Sequence, residues 1–372
     1  MTKLKFDIGI IIPDLGGGGT QRVLLNLVRE WLRHNKKICV ITFSIENTDF
    51  FKLPEAVSRK CIDFIKESEG FWDAIRNTFK RVKALRSLIR ENRPACILSF
   101  LSTTNILTLL ATRGMNIPVI ISERSDPAKE YLNIRWSLLR YLLYRQATVV
   151  TANSYDAIRF LEKFVKSKKL KYVPNPVHIE KTPRLLKYNF PVVLAVGRLG
   201  YEKGHDILLR AFAKFICRYP MWRLVIVGDG KLRKDLQKLA FSLDLANSVI
   251  WCGMRANVFA YYHAATIFVM PSRYEGTPNA LLEAMGLELP VVVSNASSGL
   301  LEFVKNEETG LVVPTEDVEA LGAALIYLAE NESLRQRLGR TARQRVEIAN
   351  QSAYHMWDIV IDEASQLASC SQ

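Results

Sequence analysis

The chain has 372 residues, and because a domain commonly holds about 100–200 residues, this length favours two domains. Hydrophobic residues make up 49% and charged residues 24%, a globular composition that excludes extended disorder. Apolar runs such as Phe6–Pro13 stay far below the ~20 residues of a membrane-spanning helix, and no signal peptide is expected. The six cysteines show no CxxC pair and no zinc spacing, which indicates buried thiols in a reducing cytosol.

Positive charge is concentrated in the first half of the chain. Residues 1–180 contain 30 Lys and Arg against 17 Asp and Glu, whereas the remaining residues contain 21 against 20. Such asymmetry indicates an anionic partner for the first half: nucleic acid, a membrane surface or a phosphorylated substrate. Solubility alone is the alternative, but it does not require the charge to lie in one half.

Short apolar runs alternate with helical segments along the first half. Phe6–Pro13 is predicted to be a buried strand, and Thr20–His34 the helix that follows it. Further strands are predicted at Lys37–Phe43, Ala95–Phe100, Val119–Glu123 and Ala147–Ala152, with helices between them. This alternation is typical of βαβ units with a parallel sheet.

The alternation stops near residues 174–190 and then starts again. Pro174-Asn-Pro176 ends the first series, and the polar stretch Glu180–Asn189 follows. Later strands are predicted at Pro191–Gly197, Arg223–Gly228, Val249–Cys252, Thr266–Met270, Pro290–Ser294 and Gly310–Val313, and helices at Asp206–Arg218, Lys231–Ser242, Pro278–Met285 and within Asp317–Ala368. We therefore expect two α/β domains of similar size.

A run of four glycines, Gly16 to Gly19, joins the first predicted strand to the first predicted helix. Glycines let a backbone approach a ligand closely, and a helix N-terminus offers amide groups to an anion. The run matches neither GxGxxG nor a P-loop, so phosphate binding and a flexible turn both remain open.

Two cations, Arg198 and Lys203, follow the first predicted strand of the second half. Open α/β sheets bind ligands at the carboxyl ends of their strands. The planar fork of Arg198 and the point charge of Lys203 suit one pyrophosphate, and two solvated loop cations are the alternative.

Two glutamates flank the start of a predicted helix. Glu275 precedes this helix, which Pro278 is predicted to open, and Glu283 lies eight residues after Glu275. The neighbours of Glu283 are Leu281, Leu282, Ala284 and Met285. We expect its carboxylate to be partly buried and to bind hydroxyl groups, because burying a carboxylate is costly without such bonds. The alternative is that Glu275 is an acid near the first turn that interacts favourably with the helix dipole and that Glu283 is an ordinary solvated glutamate.

Together these motifs resemble the retaining glycosyltransferases of family 4, whose GT-B architecture has two Rossmann-like parallel-sheet domains facing across a cleft. The matching segments cover nearly the whole chain in family order; they are Gly16–Arg22, Ile121–Asp126, Pro174–Pro176, Gly197–Gly204, Gly228–Gly230 and the pair Glu275 and Glu283. Within the family, the chain is most similar to bacterial enzymes that extend polyprenyl-diphosphate-linked oligosaccharides, such as N-acetylgalactosaminyltransferases. The resemblance implies an acceptor-binding domain at 1–175 with a helix at 352–368 packed back on it, and a nucleotide-sugar-binding domain at 190–350.

The resemblance also implies residue roles. Arg198 and Lys203 would neutralise the nucleotide diphosphate, and Glu275 would contact the donor sugar; these three are the expected catalytic residues. Glu283 would hold the ribose hydroxyls. The other expected donor contacts are Gly17, Gly18, Gly276, Thr277, Asn279 and Ala280.

No cofactor and no metal are expected. Metal-dependent sugar transferases of another architecture hold a divalent ion with a D-x-D triplet, and this sequence has none. Cations and helix amides are therefore expected to stabilise the departing diphosphate. Many family members carry a histidine where this chain has Arg124. Arginine cannot act as a general base, so we expect Arg124 to bind an acceptor phosphate or a backbone carbonyl, with Glu123 or Asp126 orienting it. A surface cation is the alternative.

The segment Phe71–Arg90 carries an apolar stripe beside a cationic one. The apolar residues are Ile75, Phe79, Val82 and Ile89, and the cations are Arg76, Lys80, Lys83 and Arg90. This pattern fits a helix on an anionic bilayer or one that binds lipid diphosphates. A helix packed on the sheet with a solvated face fits equally well. Tyr131–Arg145 is a second candidate, with the aromatic residues Trp136, Tyr141 and Tyr144 and the cations Arg135, Arg140 and Arg145.

The sequence thus predicts a metal-independent, retaining enzyme, peripheral on the cytoplasmic face of the cell membrane. It would transfer a sugar, GalNAc or another hexose or N-acetylhexosamine, from a UDP-sugar to a lipid-linked glycan in surface glycan biosynthesis. A GT-B nucleotide-sugar 2-epimerase is the alternative enzyme. A nucleic-acid-binding protein that uses the basic half is the alternative of another class, but no nucleic-acid-binding signature is present, and nucleic acid is not expected as a partner.

Overall fold

The structure, a computed structural model, describes residues 4–45, 49–62, 71–124, 127–128, 132–179 and 186–369. The chain divides into two compact units: Met1–Pro176 with Ser352–Gln372, and Val177–Gln351. Among the helices of the described ranges, none combines the length and the apolar composition that crossing a bilayer requires.

The first unit contains a seven-stranded parallel sheet. In chain order, its strands are β1 (Phe6–Ile12), β2 (Ile38–Thr42), β3 (Ser58–Cys61), β4 (Pro94–Phe100), β5 (Val119–Glu123), β6 (Val149–Ala152) and β7 (Leu170–Tyr172). The spatial order is β3-β2-β1-β4-β5-β6-β7. Its helices are α1 (Gly19–Arg33), α2 (Phe71–Asn92), α3 (Ser102–Thr112), α4 (Ile134–Leu143) and α5 (Tyr155–Leu161).

The second unit contains a six-stranded parallel sheet. Its strands are β8 (Val192–Val196), β9 (Arg223–Val227), β10 (Val249–Gly253), β11 (Ile267–Met270), β12 (Val291–Ser294) and β13 (Leu311–Val313). They lie in the order β10-β9-β8-β11-β12-β13. The helices that follow are α6 (His205–Arg218), α7 (Arg233–Ser242), α8 (Phe259–Ala264), α9 (Asn279–Gly286), α10 (Ser298–Leu301), α11 (Val318–Glu330) and α12 (Glu332–Ser369), the last of which contributes to both units.

Both sheets are covered on both faces, which explains why their strands are continuous apolar runs. In β1, Ile8 and Ile10 belong to one core, which includes α1 and Trp357 of α12. Ile11 points to the opposite face and joins a second core, which includes α2 and α3. The second unit likewise has a core on each face of its sheet.

The predicted fold class, two Rossmann-like parallel-sheet domains, is confirmed. The predicted strands lie within two residues of their observed bounds. The pattern does not predict β3 and β7, whose sequences SRKC and LKY contain no apolar run because these strands are partly exposed. Residues 180–185 of the predicted polar linker lie outside the described residues.

Each sheet reverses its strand order at one place. In the second unit, β8 lies between β9 and β11, so the loops that follow β8 and β11 emerge side by side at the carboxyl edge. Ligands of open α/β sheets bind at such switch points. The loop after β8 carries Arg198 and Lys203, and the loop after β11 carries Glu275.

Candidate active site

The loop after β8 is held close to its neighbours by its glycines. Gly204 has φ 64°, a left-handed conformation, and a β-carbon there would collide with the carbonyl oxygen of Pro271 in the loop after β11. Both constraints favour glycine at this position. The two loops therefore approach each other at the level of the backbone.

An ion pair joins two of the predicted catalytic residues. Lys203 Nζ lies 2.6 Å from Glu275 Oε1, and both side chains are largely buried, with 20% and 10% of their surface exposed. Ser272 Oγ also donates to Glu275 Oε1, over 2.7 Å. The Glu275 carboxylate is therefore oriented by one residue from each loop.

Arg198 is held more loosely. Its guanidinium donates through Nε and Nη2 to Glu202 Oε1, at 2.9 and 2.6 Å, and its side chain is 74% exposed. An exposed pair of this kind contributes little to stability and exchanges readily with other partners. Arg198 is thus oriented at the rim of the loop, in contact with solvent.

The turn into α9 brings the other predicted donor contacts to the same edge of the sheet. Gly276 and Thr277 precede the helix, and Asn279 and Ala280 form its first two residues. Pro278 stands one position earlier than predicted, as the residue before the helix rather than its first member, because its ψ of 119° is extended. The positive end of the α9 dipole therefore lies shortly after Glu275 in the chain.

Glu283 is buried, as predicted. It lies on the second turn of α9, only 4% exposed, and its Oε2 accepts a hydrogen bond of 3.0 Å from the hydroxyl of Tyr262 in α8. A phenol that donates to a carboxylate offsets part of the cost of burying that charge. Tyr262 is not predicted as a site residue, because nothing in the local sequence distinguishes it from its neighbour Tyr261.

Arg273, also missed from the sequence, connects three loops of the second unit. Its guanidinium makes a double hydrogen bond to Asp206 at 2.9 and 2.7 Å and donates 2.7 Å to Glu316 Oε1 and 2.8 Å to the carbonyl of Tyr201. It also stacks 4.1 Å over the Tyr201 ring. The hydrogen bonds that Arg273 donates to Asp206 raise the pKa of Arg273 above its usual range, so the guanidinium remains charged.

Gly17 and Gly18 lie in the first unit, in an exposed turn between β1 and α1. Asp14 Oδ1 braces this turn by accepting hydrogen bonds of 2.8 Å from the Gly16 amide and from Gln21 Nε2. Helix α1 begins at Gly19 without a side-chain cap. The N-terminus of a helix is suited to an anion, and the role of this turn in donor binding stays a prediction.

Arg124 is not a surface cation. It is buried, and it donates 2.9 Å to the Val173 carbonyl, 2.7 Å to Ser122 Oγ, 3.0 Å to Asn175 Oδ1 and 3.1 Å to Thr151 Oγ1. Its guanidinium also stacks 4.8 Å over the ring of Trp357. Burial lowers the pKa of Arg124 to about 9, so it is still charged at neutral pH.

The bond to a backbone carbonyl that was expected of Arg124 is found, and its contact with an acceptor or a membrane stays a prediction. The same motif predicts that Glu123 or Asp126 orients Arg124; Asp126 lies outside the described residues. Glu123 is buried as well, and it accepts hydrogen bonds from Ser102 Oγ and the Tyr144 hydroxyl.

The four predicted cations of α2, which are Arg76, Lys80, Lys83 and Arg90, are all exposed. The apolar stripe beside them divides in two. Ile75 and Phe79 are 47% and 69% exposed, whereas Ile89 is buried in the core of the first unit and Val82 packs against it. A continuous membrane-facing stripe is therefore wrong, because its C-terminal half covers the sheet.

Helix α4, part of the second candidate segment, exposes apolar side chains more fully. Ile134 is 86% exposed, and Leu138, Tyr141 and Leu142 are between 45% and 59% exposed. Of the cations predicted there, Arg135 and Arg145 are exposed and Arg140 is buried; Tyr131 lies outside the described residues.

Comparison with known proteins identifies the family. A family model described as Glycosyltransferase Family 4 matches residues 17–181, and one described as Glycosyl transferases group 1 matches residues 179–345. A Campylobacter jejuni protein named GalNAc-alpha-(1->4)-GalNAc-alpha-(1->3)-diNAcBac-PP-undecaprenol alpha-1,4-N-acetyl-D-galactosaminyltransferase is 30% identical over 351 residues, which cover 93% of this chain and 94% of that protein.

Another relative, the Escherichia coli UDP-Gal:alpha-D-GlcNAc-diphosphoundecaprenol alpha-1,3-galactosyltransferase, is 27% identical over 278 residues, 68% of this chain and 71% of that protein.

Solved structures share the fold. Sucrose-phosphate synthase from Thermosynechococcus elongatus superposes with a TM-score of 0.81 at 19% identity, covering 96% of this chain and 98% of that one. Anabaena HepE in complex with UDP and glucose superposes with a TM-score of 0.77 at 19% identity, covering 95% and 99%. With two family models in tandem and a relative that matches almost end to end, the chain belongs to glycosyltransferase family 4 and is a glycosyltransferase of the GT-B fold.

Proposed function

We propose that this enzyme transfers a sugar from a UDP-sugar to a polyprenyl-diphosphate-linked glycan, with retention of the anomeric configuration and without a metal ion. One observation carries the proposal: Lys203, Glu275 and Glu283 lie at or next to the turn into α9, at the switch point of the second sheet. N-Acetylgalactosamine is the favoured donor sugar, since the relative from Campylobacter is named for its transfer.

Donor binding follows from the charges at this edge. The diphosphate replaces Glu275 as the partner of Lys203 and replaces Glu202 as the partner of Arg198. The Asn279 and Ala280 amides add the positive end of the α9 dipole. Glu275, released from Lys203, accepts hydrogen bonds from sugar hydroxyls, and Glu283 accepts them from the ribose. The UDP bound to Anabaena HepE, which has the same fold, supports a uridine nucleotide.

The chemical step needs no protein nucleophile. The acceptor hydroxyl attacks the anomeric carbon on the face from which the diphosphate departs, and the bond between that carbon and the phosphate oxygen breaks with its electron pair staying on the diphosphate. The hydroxyl proton passes to that phosphate oxygen. Lys203 and Arg198 stabilise the negative charge that develops there, and such preorganised charges are often the largest contribution to catalysis. The new bond lies on the same face as the old one.

Lipid-linked acceptors would bring the enzyme to the inner face of the cell membrane. The relatives from Campylobacter and Escherichia are named for undecaprenol-linked substrates, which supports such an acceptor. The exposed cations Arg76, Lys80, Lys83 and Arg90 on α2 are suited to lipid diphosphates and anionic headgroups. The exposed apolar residues of α4 add a surface suited to the bilayer interface.

The function is tested with purified enzyme, a panel of UDP-sugars and an undecaprenyl-diphosphate oligosaccharide. We expect one UDP-sugar of the panel to serve as donor and activity to persist in EDTA. The product NMR spectrum is expected to show an α linkage from an α-configured donor. A β-linked product or complete dependence on divalent metal would contradict the mechanism. Release of an epimerised sugar without transfer would instead indicate a 2-epimerase.

Two variants test the donor site. Lys203→Ala and Glu283→Gln each remove a charge-assisted bond worth about 1.5–3 kcal/mol, so kcat/KM falls roughly 10- to 150-fold. Lys214→Ala and Glu319→Gln are matched controls, because they break an exposed ion pair of the same unit. Wild-type kinetics in both site variants would refute the assignment.

A further inference from the structure

We propose that Tyr262 is a positioning residue for nucleotide recognition: its hydroxyl fixes the Glu283 carboxylate in the orientation that selects a ribose over a deoxyribose. The inference rests on the proposed role of Glu283 in binding the donor ribose. Tyr262 lies outside the motif, the pair Glu275 and Glu283, from which the ribose-binding role of Glu283 was inferred.

The Tyr262 side chain has little freedom to move. It is 1% exposed and belongs to the apolar core on one face of the second sheet. Its ring packs edge-on to Phe259 and tilted against Phe268, with centroid distances of 5.9 Å in both cases. A ring enclosed in this way holds its hydroxyl at a fixed point, since a tyrosine has only two rotatable side-chain bonds.

That fixed hydroxyl donates to Glu283 Oε2 over 3.0 Å. Glutamate has three rotatable bonds and loses more side-chain entropy than most residues when it becomes ordered. The hydrogen bond from Tyr262 orders the carboxylate before a nucleotide arrives, so binding does not bear that cost. An ionised carboxylate has about four acceptor positions, so a carboxylate held by a tyrosine hydroxyl can also accept hydrogen bonds from a ligand.

The preceding residue provides a matched control. Tyr261 lies on the same helix and is partly exposed, and burial together with its contact to Cys252 raises its pKa. Tyr261→Phe removes a hydroxyl of the same kind from α8, whereas Tyr262→Phe removes the hydroxyl that contacts Glu283.

The experiment measures the dissociation constants of UDP, 2′-deoxy-UDP and 3′-deoxy-UDP by calorimetry for wild type, Tyr262→Phe, Tyr261→Phe and Glu283→Gln. We expect wild type to prefer UDP over at least one deoxy analogue by tenfold or more. In Tyr262→Phe this preference falls at least threefold, and in Glu283→Gln it falls as far or further. Tyr261→Phe retains the wild-type preference. Because each preference is a ratio measured on one preparation, a loss of folded protein cancels.

Two results separate the failure of this inference from the failure of the proposed function. If Glu283→Gln loses the preference and Tyr262→Phe keeps it, Tyr262 is not a positioning residue, while the ribose role of Glu283 stands. If wild type binds no UDP, or shows no preference that depends on Glu283, the proposed donor site itself is wrong and the inference fails with it.

Discussion

At the scale of single residues, most of the charged side chains of the candidate site are already paired. Lys203 is bound to Glu275, and Arg198 to Glu202. These carboxylates keep the two cations ordered and offset the repulsion between their like charges. They are also partners that an anionic substrate can replace, since a diphosphate carries more charge than one carboxylate. The ion pairs of the free enzyme thus prepare the cations for the substrate.

A buried histidine beside the site makes stability depend on pH. Burial lowers the pKa of His205 to about 4 from an ordinary value of 6.5, and its Nδ1 has no hydrogen-bond partner among the described residues. The unfolded chain therefore takes up the proton first as the pH falls. The stability that neutral His205 contributes is complete above pH 6.5 and is lost between pH 6.5 and about 4.

We expect the free energy of unfolding to fall by about 2 kcal/mol between pH 7.5 and 5 because of this residue. Urea denaturation of wild type and His205→Gln across that range measures the effect. The variant is expected to show a smaller dependence on pH. Equal slopes in the two proteins would mean that His205 is not held neutral by the fold.

At the scale of elements, the loops after β8, β11 and β13 are held together by Arg273. Its side chain reaches Asp206 and Glu316, and its backbone amide donates 2.8 Å to the carbonyl of Glu202. Glu316 has φ 66°, an unfavourable conformation for a residue other than glycine, which the surrounding contacts must offset. We therefore expect the distance between Lys203 and Glu275 to depend on Arg273, because its hydrogen bonds connect the two loops that carry them.

Arg273→Ala is expected to raise the dissociation constant of UDP about 10- to 100-fold, because small displacements of positioning groups cost activity of that order. Arg273→Lys is expected to restore only part of the affinity, since an ammonium group cannot make the pair of parallel hydrogen bonds to Asp206. Arg335→Ala is the control: Arg335 donates to the carbonyls of Leu328 and Ala329 at the end of α11. If both alanine variants lose stability and neither loses affinity, Arg273 is only structural.

At the scale of the whole molecule, the basic residues lie mainly in the first half of the sequence, whereas the candidate donor site lies in the second unit. The second half of the chain is nearly neutral, and the diphosphate site proposed there depends on a few placed cations rather than on a general positive field. The excess positive charge of the first half is available to bind a different anion. The proposed binding to an anionic bilayer would use both the exposed cations of α2 and the exposed apolar residues of α4.

We expect the enzyme to float with anionic liposomes and to be released by salt, because each cation near such a surface contributes about 1 kcal/mol that salt screens. Changing Arg76, Lys80 and Lys83 to Glu is expected to abolish flotation. Lys231, Lys234 and Lys238, exposed on the second unit, provide a variant with the same change in net charge. Flotation that both triple variants lose equally would show that net charge, and not the surface of α2, is responsible.

Local patterns alone determined the fold class and most of the candidate site. Strand and helix periodicity depends on near neighbours in the sequence, so the alternation of elements, and with it the parallel sheets, follows without knowledge of packing. The same holds for Lys203, Glu275 and Glu283, because a residue's position just after a strand or inside a helix fixes the edge of the sheet to which it belongs.

Only the tertiary structure decided which partners distant residues have. Arg124 looks like a solvated or substrate-binding cation in sequence, and it is buried because Val173, Asn175 and Trp357 reach it from elsewhere in the chain. Ile75 and Ile89 share one helical stripe, yet one is exposed and the other buried, since the sheet covers only part of α2. Tyr262 and Arg273 are invisible as site residues for the same reason: their contacts join segments that are far apart in sequence, and no local pattern records them.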